Sequence, residues 1–167
     1  MTAFEAAHWF DLNEFFIESN RILVKNGIIA LIGYFLPEIV DLLNPNDQRM
    51  TQLVLEIYND PLLAPYKNSR VVVIEKRYRD VKFPLNYEIV HKDNILNSIK
   101  ANAQELIGLI ESWSLYQGLA AKDERTADNY IQQIQIKLKD ILKTSDLSKR
   151  EIIINYKYFI TMGRKLE

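Results

Sequence analysis

The sequence predicts an α/β fold, and three observations carry that expectation. An amphipathic stretch from Leu12 to Val24 runs through Lys25-Asn26-Gly27 into the apolar run Ile28 to Phe35, the helix-to-strand half of a βαβ unit. Further on, Tyr87, Ile89 and His91 alternate with Glu88, Val90 and Lys92 at a period of two, and the segment Glu151 to Met162 is rich in β-branched and aromatic residues. A sheet of three main strands with helices follows. Only Met1-Thr2-Ala3-Phe4-Glu5 precedes the Ala6-Ala7-His8-Trp9-Phe10-Asp11 turn, too little for the parallel strand and crossovers that such a unit implies. The expectation is therefore one domain over residues 1–167 that is the back half of a larger fold.

Asp11 and Glu14 stand at capping-box spacing, and Phe15, Phe16, Ile22 and Leu23 recur at helical offsets until Gly27, which predicts a helix over 12–24. The next run is apolar on both faces, as suits a central parallel strand. Pro37 is expected to open a short helix over 38–43, followed by another over 47–59. Pro61 and Pro65 punctuate a surface loop that reaches about Tyr78, and Ile95 to Ile99 continue the strand begun at Tyr87 after a bulge. Leu106, Leu109, Ile110, Trp113 and Tyr116 share one face of a helix that Gly118 should stop. A further helix covers 124–143, and the last strand closes the chain.

At 167 residues, 48% hydrophobic and 26% charged, the composition is that of an ordinary globular domain. A net charge of −1 leaves no electrostatic footprint for nucleic acid. The longest apolar run is strand-sized, and the N-terminus lacks a signal-peptide plan, so the expectation is no membrane association and a cytoplasmic address. Absence of cysteine removes disulfides, thiol nucleophiles and cysteine metal sites.

The stretch from Ala6 to Ile39 resembles the fourth-to-fifth-strand region of class I S-adenosylmethionine-dependent methyltransferases, and is most similar to the small-molecule group around the trans-aconitate methyltransferases. His8, Trp9, Phe10, Lys25, Gly27, Gly33, Tyr34 and Pro37 carry the likeness. Lys76 to Arg79 with Phe83-Pro84, Ser112 to Gln117, and Tyr158 to Lys165 follow in the family's order. The resemblance implies a partial Rossmann-like methyltransferase fold, its C-terminal strands and helices, with a helical lid insert. The family's glycine-rich turn and its acidic residue after the second strand are not matched. The five glycines, at 27, 33, 108, 118 and 163, are too far apart to form such a turn.

By the same resemblance, His8, Trp9, Tyr34, Tyr116 and Gln117 would line the acceptor side. An indole offers a flat apolar wall, and an imidazole can orient a carboxylate or accept a proton. Residue type alone favours Trp9 and Phe10 as core anchors, and Trp113 as packing. Arg77, Tyr78 and Arg79 could grip a carboxylate, although a solvated charge run explains the arginines better. His91 has no metal-ligand arrangement around it, so no metal is expected. Ser112 and Ser114 sit in a helix and not on a nucleophile turn.

The resulting expectation is a methyltransferase acting on a small molecule, its acceptor a carboxylic acid in many relatives, truncated and not competent alone. S-adenosylmethionine is the family's cofactor and is expected not to bind this chain by itself. The alternative is a pseudoenzyme or interaction module that pairs with itself or a full-length relative. Expected partners are a second copy, as a homodimer through the edge of the strand Ile28 to Tyr34, or a complementary N-terminal half.

Overall fold

The opening residues, judged too few for a strand, make one. In the computed structural model, which describes all 167 residues, Thr2–Phe4 forms β1 and pairs in parallel with β2, Ile28–Gly33. The register is Thr2↔Ala30, Ala3↔Leu31 and Phe4↔Ile32. Helix α1, Leu12–Ile22, joins them, so the βαβ unit is whole within this chain. Three residues suffice because each finds its partner on β2 and Ala3 is buried. Asp11 caps α1 by accepting from the N–H groups of Asn13 and Glu14, satisfying two of the helix's orphan donors.

The chain divides into two compact units, Met1–Phe35 with Ser69–Asn97 and Tyr156–Glu167, and Leu36–Asn68 with Ser98–Asn155. In the first unit β2 also pairs antiparallel with β5, Glu151–Lys165, from Ile28↔Arg164 to Gly33↔Phe159. A long strand β4, Tyr87–Asn102, pairs with β5 as well. Thr161 faces Leu31 on one side, and its hydroxyl lies 2.9 Å from Nδ1 of His91 on the other, so β5 lies between β2 and β4. Ile29 and Leu31 have no exposed surface and pack with Phe16 of α1, Tyr78, Tyr87, Phe159 and Ile74, the last from a short helix α3, Val71–Glu75. Because β2 is paired along both sides, it offers no edge for self-association, which corrects that expectation.

In the second unit the segment after Pro37 is a strand and not a helix. Residues Glu38–Asp41, β3, pair antiparallel with Ile152–Asn155 of β5. Ile39 and Asp41 are buried while Glu38 and Val40 are half-buried, a period of two that a helix cannot use. Helices α2, Arg49–Tyr58, and α6, Glu124–Leu142, lie where periodicity placed them. The single helix expected to stop at Gly118 is instead two, α4, Ala103–Glu111, and α5, Ser114–Lys122. The break is at Trp113, whose backbone is extended, and Gly118 sits inside α5 because a Cβ there would lie 2.9 Å from Tyr66. The region expected to be surface loop up to Tyr78 also buries residues: Leu63 in this unit, Ile74 and Tyr78 in the first. No helix of the chain is long and apolar enough to cross a membrane.

Candidate functional site

In an open α/β sheet the carboxyl ends of adjacent parallel strands are where chains diverge and ligands bind. Strands β1 and β2 end side by side at Phe4 and Gly33, and the next residues are Glu5 and Tyr34. Glu5 takes a left-handed φ of 50°, a conformation that costs a residue with a Cβ and concentrates at functional sites. Its N–H still donates to the Ile32 carbonyl, and its carboxylate accepts the Tyr34 backbone N–H at 2.6 Å. Burial pushes the Glu5 carboxyl up to about 7, with the Tyr34 N–H pulling back. Burial, with the Glu5 charge second, pushes the Tyr34 phenol up to about 12. The Tyr34 ring packs edge-on against Tyr156 at 4.5 Å and Tyr158 at 5.5 Å.

The chain then makes a 3-10 turn over Ala7–Trp9. It buries His8 and leaves Trp9 42% exposed, with the two rings 4.7 Å apart. Nδ1 of His8 lies 3.0 Å from the Tyr78 hydroxyl. Burial lowers the His8 pKa, so the imidazole is neutral at pH 7. Burial and then the nearby Glu5 charge raise the Tyr78 phenol, while the His8 backbone N–H pulls the other way. In one tautomer of the imidazole the phenol donates its hydrogen to the bare Nδ1. The imidazole hydrogen is then on Nε2, the atom that can donate to a bound oxygen. Arg70 clamps the turn by donating from Nη1 to the Trp9 carbonyl at 2.6 Å.

Of the residues singled out from sequence, His8 and Trp9 therefore follow the end of β1, and Tyr34 follows the adjacent end of β2. Tyr116 and Gln117 belong to the second unit, where Tyr116 is buried with its hydroxyl 3.4 Å from the Ala127 carbonyl. Gln117 donates to the Glu111 carbonyl at 2.7 Å. Trp113 packs edge-on to Tyr58. Arg77 and Arg79 both pair with Asp93, a carboxylate of the chain itself. Glu5 was missed, and Tyr78 was read only as a neighbour of the arginines. Glu5 becomes legible once β1 is placed, because it is the first residue beyond that strand.

The glycines do not fit a cradle for S-adenosylmethionine. None has a positive φ. A Cβ at Gly33 would lie 2.8 Å from Phe159, at Gly118 2.9 Å from Tyr66, and at Gly163 2.5 Å from Phe83. At these three positions the bare backbone admits a ring of this chain, where a cofactor turn would keep it open to a ligand.

No protein-family model matches the chain. A Dictyostelium discoideum protein named as a methyltransferase is 28% identical over 167 residues, covering 99% of this chain and 59% of its own length. Among solved structures, an Anaeromyxobacter dehalogenans protein described as a type II methyltransferase superposes with a TM-score of 0.74 at 22% identity. That match covers 99% of this chain and 63% of the other, and it shows that the two share a fold. The YcgJ protein of Bacillus subtilis gives a TM-score of 0.37 at 15% identity, covering 99% and 63%, a likeness that carries no weight. The chain thus spans about three-fifths of the length of the relatives it matches.

Proposed function

We propose that this chain is the acceptor-binding part of an S-adenosylmethionine-dependent methyltransferase acting on a small molecule, with a carboxylic acid as the acceptor that suits the site. The observation that carries the reading is the linked set Glu5, His8, Tyr34 and Tyr78 at the carboxyl ends of β1 and β2. The shared fold and the names of the relatives support it.

In such a reaction the cofactor supplies an already activated methyl group, and the protein's task is alignment. His8, held by Tyr78, donates from Nε2 to one oxygen of an acceptor carboxylate. Trp9, exposed beside it, gives the acceptor a flat wall. Tyr34 stays protonated at neutral pH and closes the other strand end. Tyr116 and Gln117 belong to this side by resemblance alone. In the second unit their polar tips are engaged by the Ala127 and Glu111 carbonyls.

Because no glycine turn of this chain is shaped for the cofactor, the isolated chain is proposed to bind neither S-adenosylmethionine nor S-adenosylhomocysteine. Half a cleft leaves most of a ligand in water. Isothermal titration of the purified chain with both compounds tests this, and micromolar binding abolished by a competitor overturns it. A pseudoenzyme or interaction module is the second reading, favoured by one observation: the outer edge of β4 is exposed and pairs with no strand of this chain.

A further inference from the structure

Strand β4 pairs with β5 along one edge and with nothing along the other. Glu88 to Lys92 are all exposed, including Ile89 at 38% and Val90 at 43%, and the fully exposed Leu85 lies just before them. Such an edge, bare of proline and uncovered, is a template for another strand. Its charges do not oppose pairing with a copy of itself. Glu88, Val90 and Lys92 alternate along one face, and reversing the strand exchanges the acid for the base.

We propose that two copies of this chain pair antiparallel through the outer edge of β4, about a two-fold axis at Val90. In that register Glu88 faces the partner's Lys92, Lys92 faces the partner's Glu88, and Val90 faces its own counterpart between them. Opposite charges directly across an antiparallel pair stabilise it, and like charges there destabilise it. On the other face Ile89 meets the partner's His91. Asn94, with φ 58°, ends the regular segment, so the ladder runs from Tyr87 to Asp93. Leu85, fully exposed, and Ile95, 41% exposed, flank the ladder at its two ends. Arg164 lies 3.7 Å from Glu88 in an exposed pair, an arrangement that leaves Glu88 open to a second cation. A closed two-fold pair uses up the edge, where an unclosed one would grow into aggregates.

Sedimentation equilibrium of the full chain from about 1 to about 100 μM reads the pairing directly. The expected result is a reversible rise from 19.6 kDa towards twice that mass. Glu88→Lys and Lys92→Glu each place like charges opposite one another at two symmetric positions, and each should weaken the dimer about tenfold or more. The double reversal, Glu88→Lys with Lys92→Glu, should restore it. Both sites are exposed, and far-UV circular dichroism checks that the variants fold. A monomer at the highest concentration overturns the proposal. So does a dimer that the single reversals leave unchanged, or that the double reversal does not recover.

Discussion

The Tyr78 hydroxyl lies 3.0 Å from Nδ1 of His8, from a residue seventy positions further along the chain. Tyr78 has no exposed surface and takes a left-handed φ of 56°, so the backbone bears a conformational cost to hold that phenol in place. Tyr78→Phe keeps the ring and removes the hydrogen bond. It should cost about 1–2 kcal/mol in urea denaturation. Nitrogen NMR of the imidazole should show the Nε2–H tautomer in the natural protein and a mixture in the variant. A natural protein already mixed would mean that the phenol does not set the tautomer.

Glu5 makes the pH dependence of stability testable. Its carboxyl, raised from 4.5 to about 7, holds its proton in the native state over a range where the unfolded chain has lost it. The native state then binds more protons, and stability falls as pH rises from about 4.5 to about 7. Glu5→Gln should remove this slope, so that the variant gains on the natural protein as pH rises. Parallel slopes in urea midpoints for the two proteins would show that Glu5 titrates normally.

Asp41 carries the opposite sign. It is 2% exposed, and Arg150 donates to both of its oxygens at 2.6 Å. Burial raises its pKa, but hydrogen bonds from the Leu43 N–H, Asn44 and Arg150 outweigh it and leave the value below the ordinary one. Its stabilisation is present above the unfolded value of about 3.9 and is lost as pH falls through the native one. Asp41→Asn leaves a largely buried guanidinium uncompensated and should cost about 3–5 kcal/mol at neutral pH. A loss under about 1 kcal/mol in urea titration would mean that water replaces the pair.

Trp9→Ala separates a wall from a core residue. With 42% of the residue exposed, the expected stability loss is about 1–2 kcal/mol, below the ~3–5 kcal/mol typical of a buried aromatic. In a complete enzyme carrying this segment, methyl transfer should fall by more than stability explains. Full turnover with a large loss of stability would make Trp9 an anchor of the turn.

The parts of the fold that were legible are those with long, regular patterns. α1 with its Asp11 cap, α6 and the final strand lie close to where spacing put them. Segments whose state depends on distant partners were not legible. β1 is a strand only because Ile28–Gly33 lies beside it, and β3 only because Ile152–Asn155 does. Gly118 looked like a helix stop since nothing local announces that Tyr66 needs the space. His8, Trp9 and Tyr34, which follow the ends of β1 and β2, were singled out through resemblance. Glu5 and the Tyr78 contact needed the strand ends and a seventy-residue link that no local pattern encodes.

Strand β2 pairs along one side with β5, from Ile28↔Arg164 to Gly33↔Phe159, so its second neighbour is the last strand of the chain to be made. On a ribosome adding roughly 5–20 residues per second, Ile29 and Leu31 wait several seconds with one side of their strand unpaired. Contacts of such long sequence separation also slow folding, because the loop must close before any pairing rewards it. During synthesis this protein therefore exposes its most apolar strand, and chaperone depletion should lower its soluble yield more than that of a helical protein of equal length.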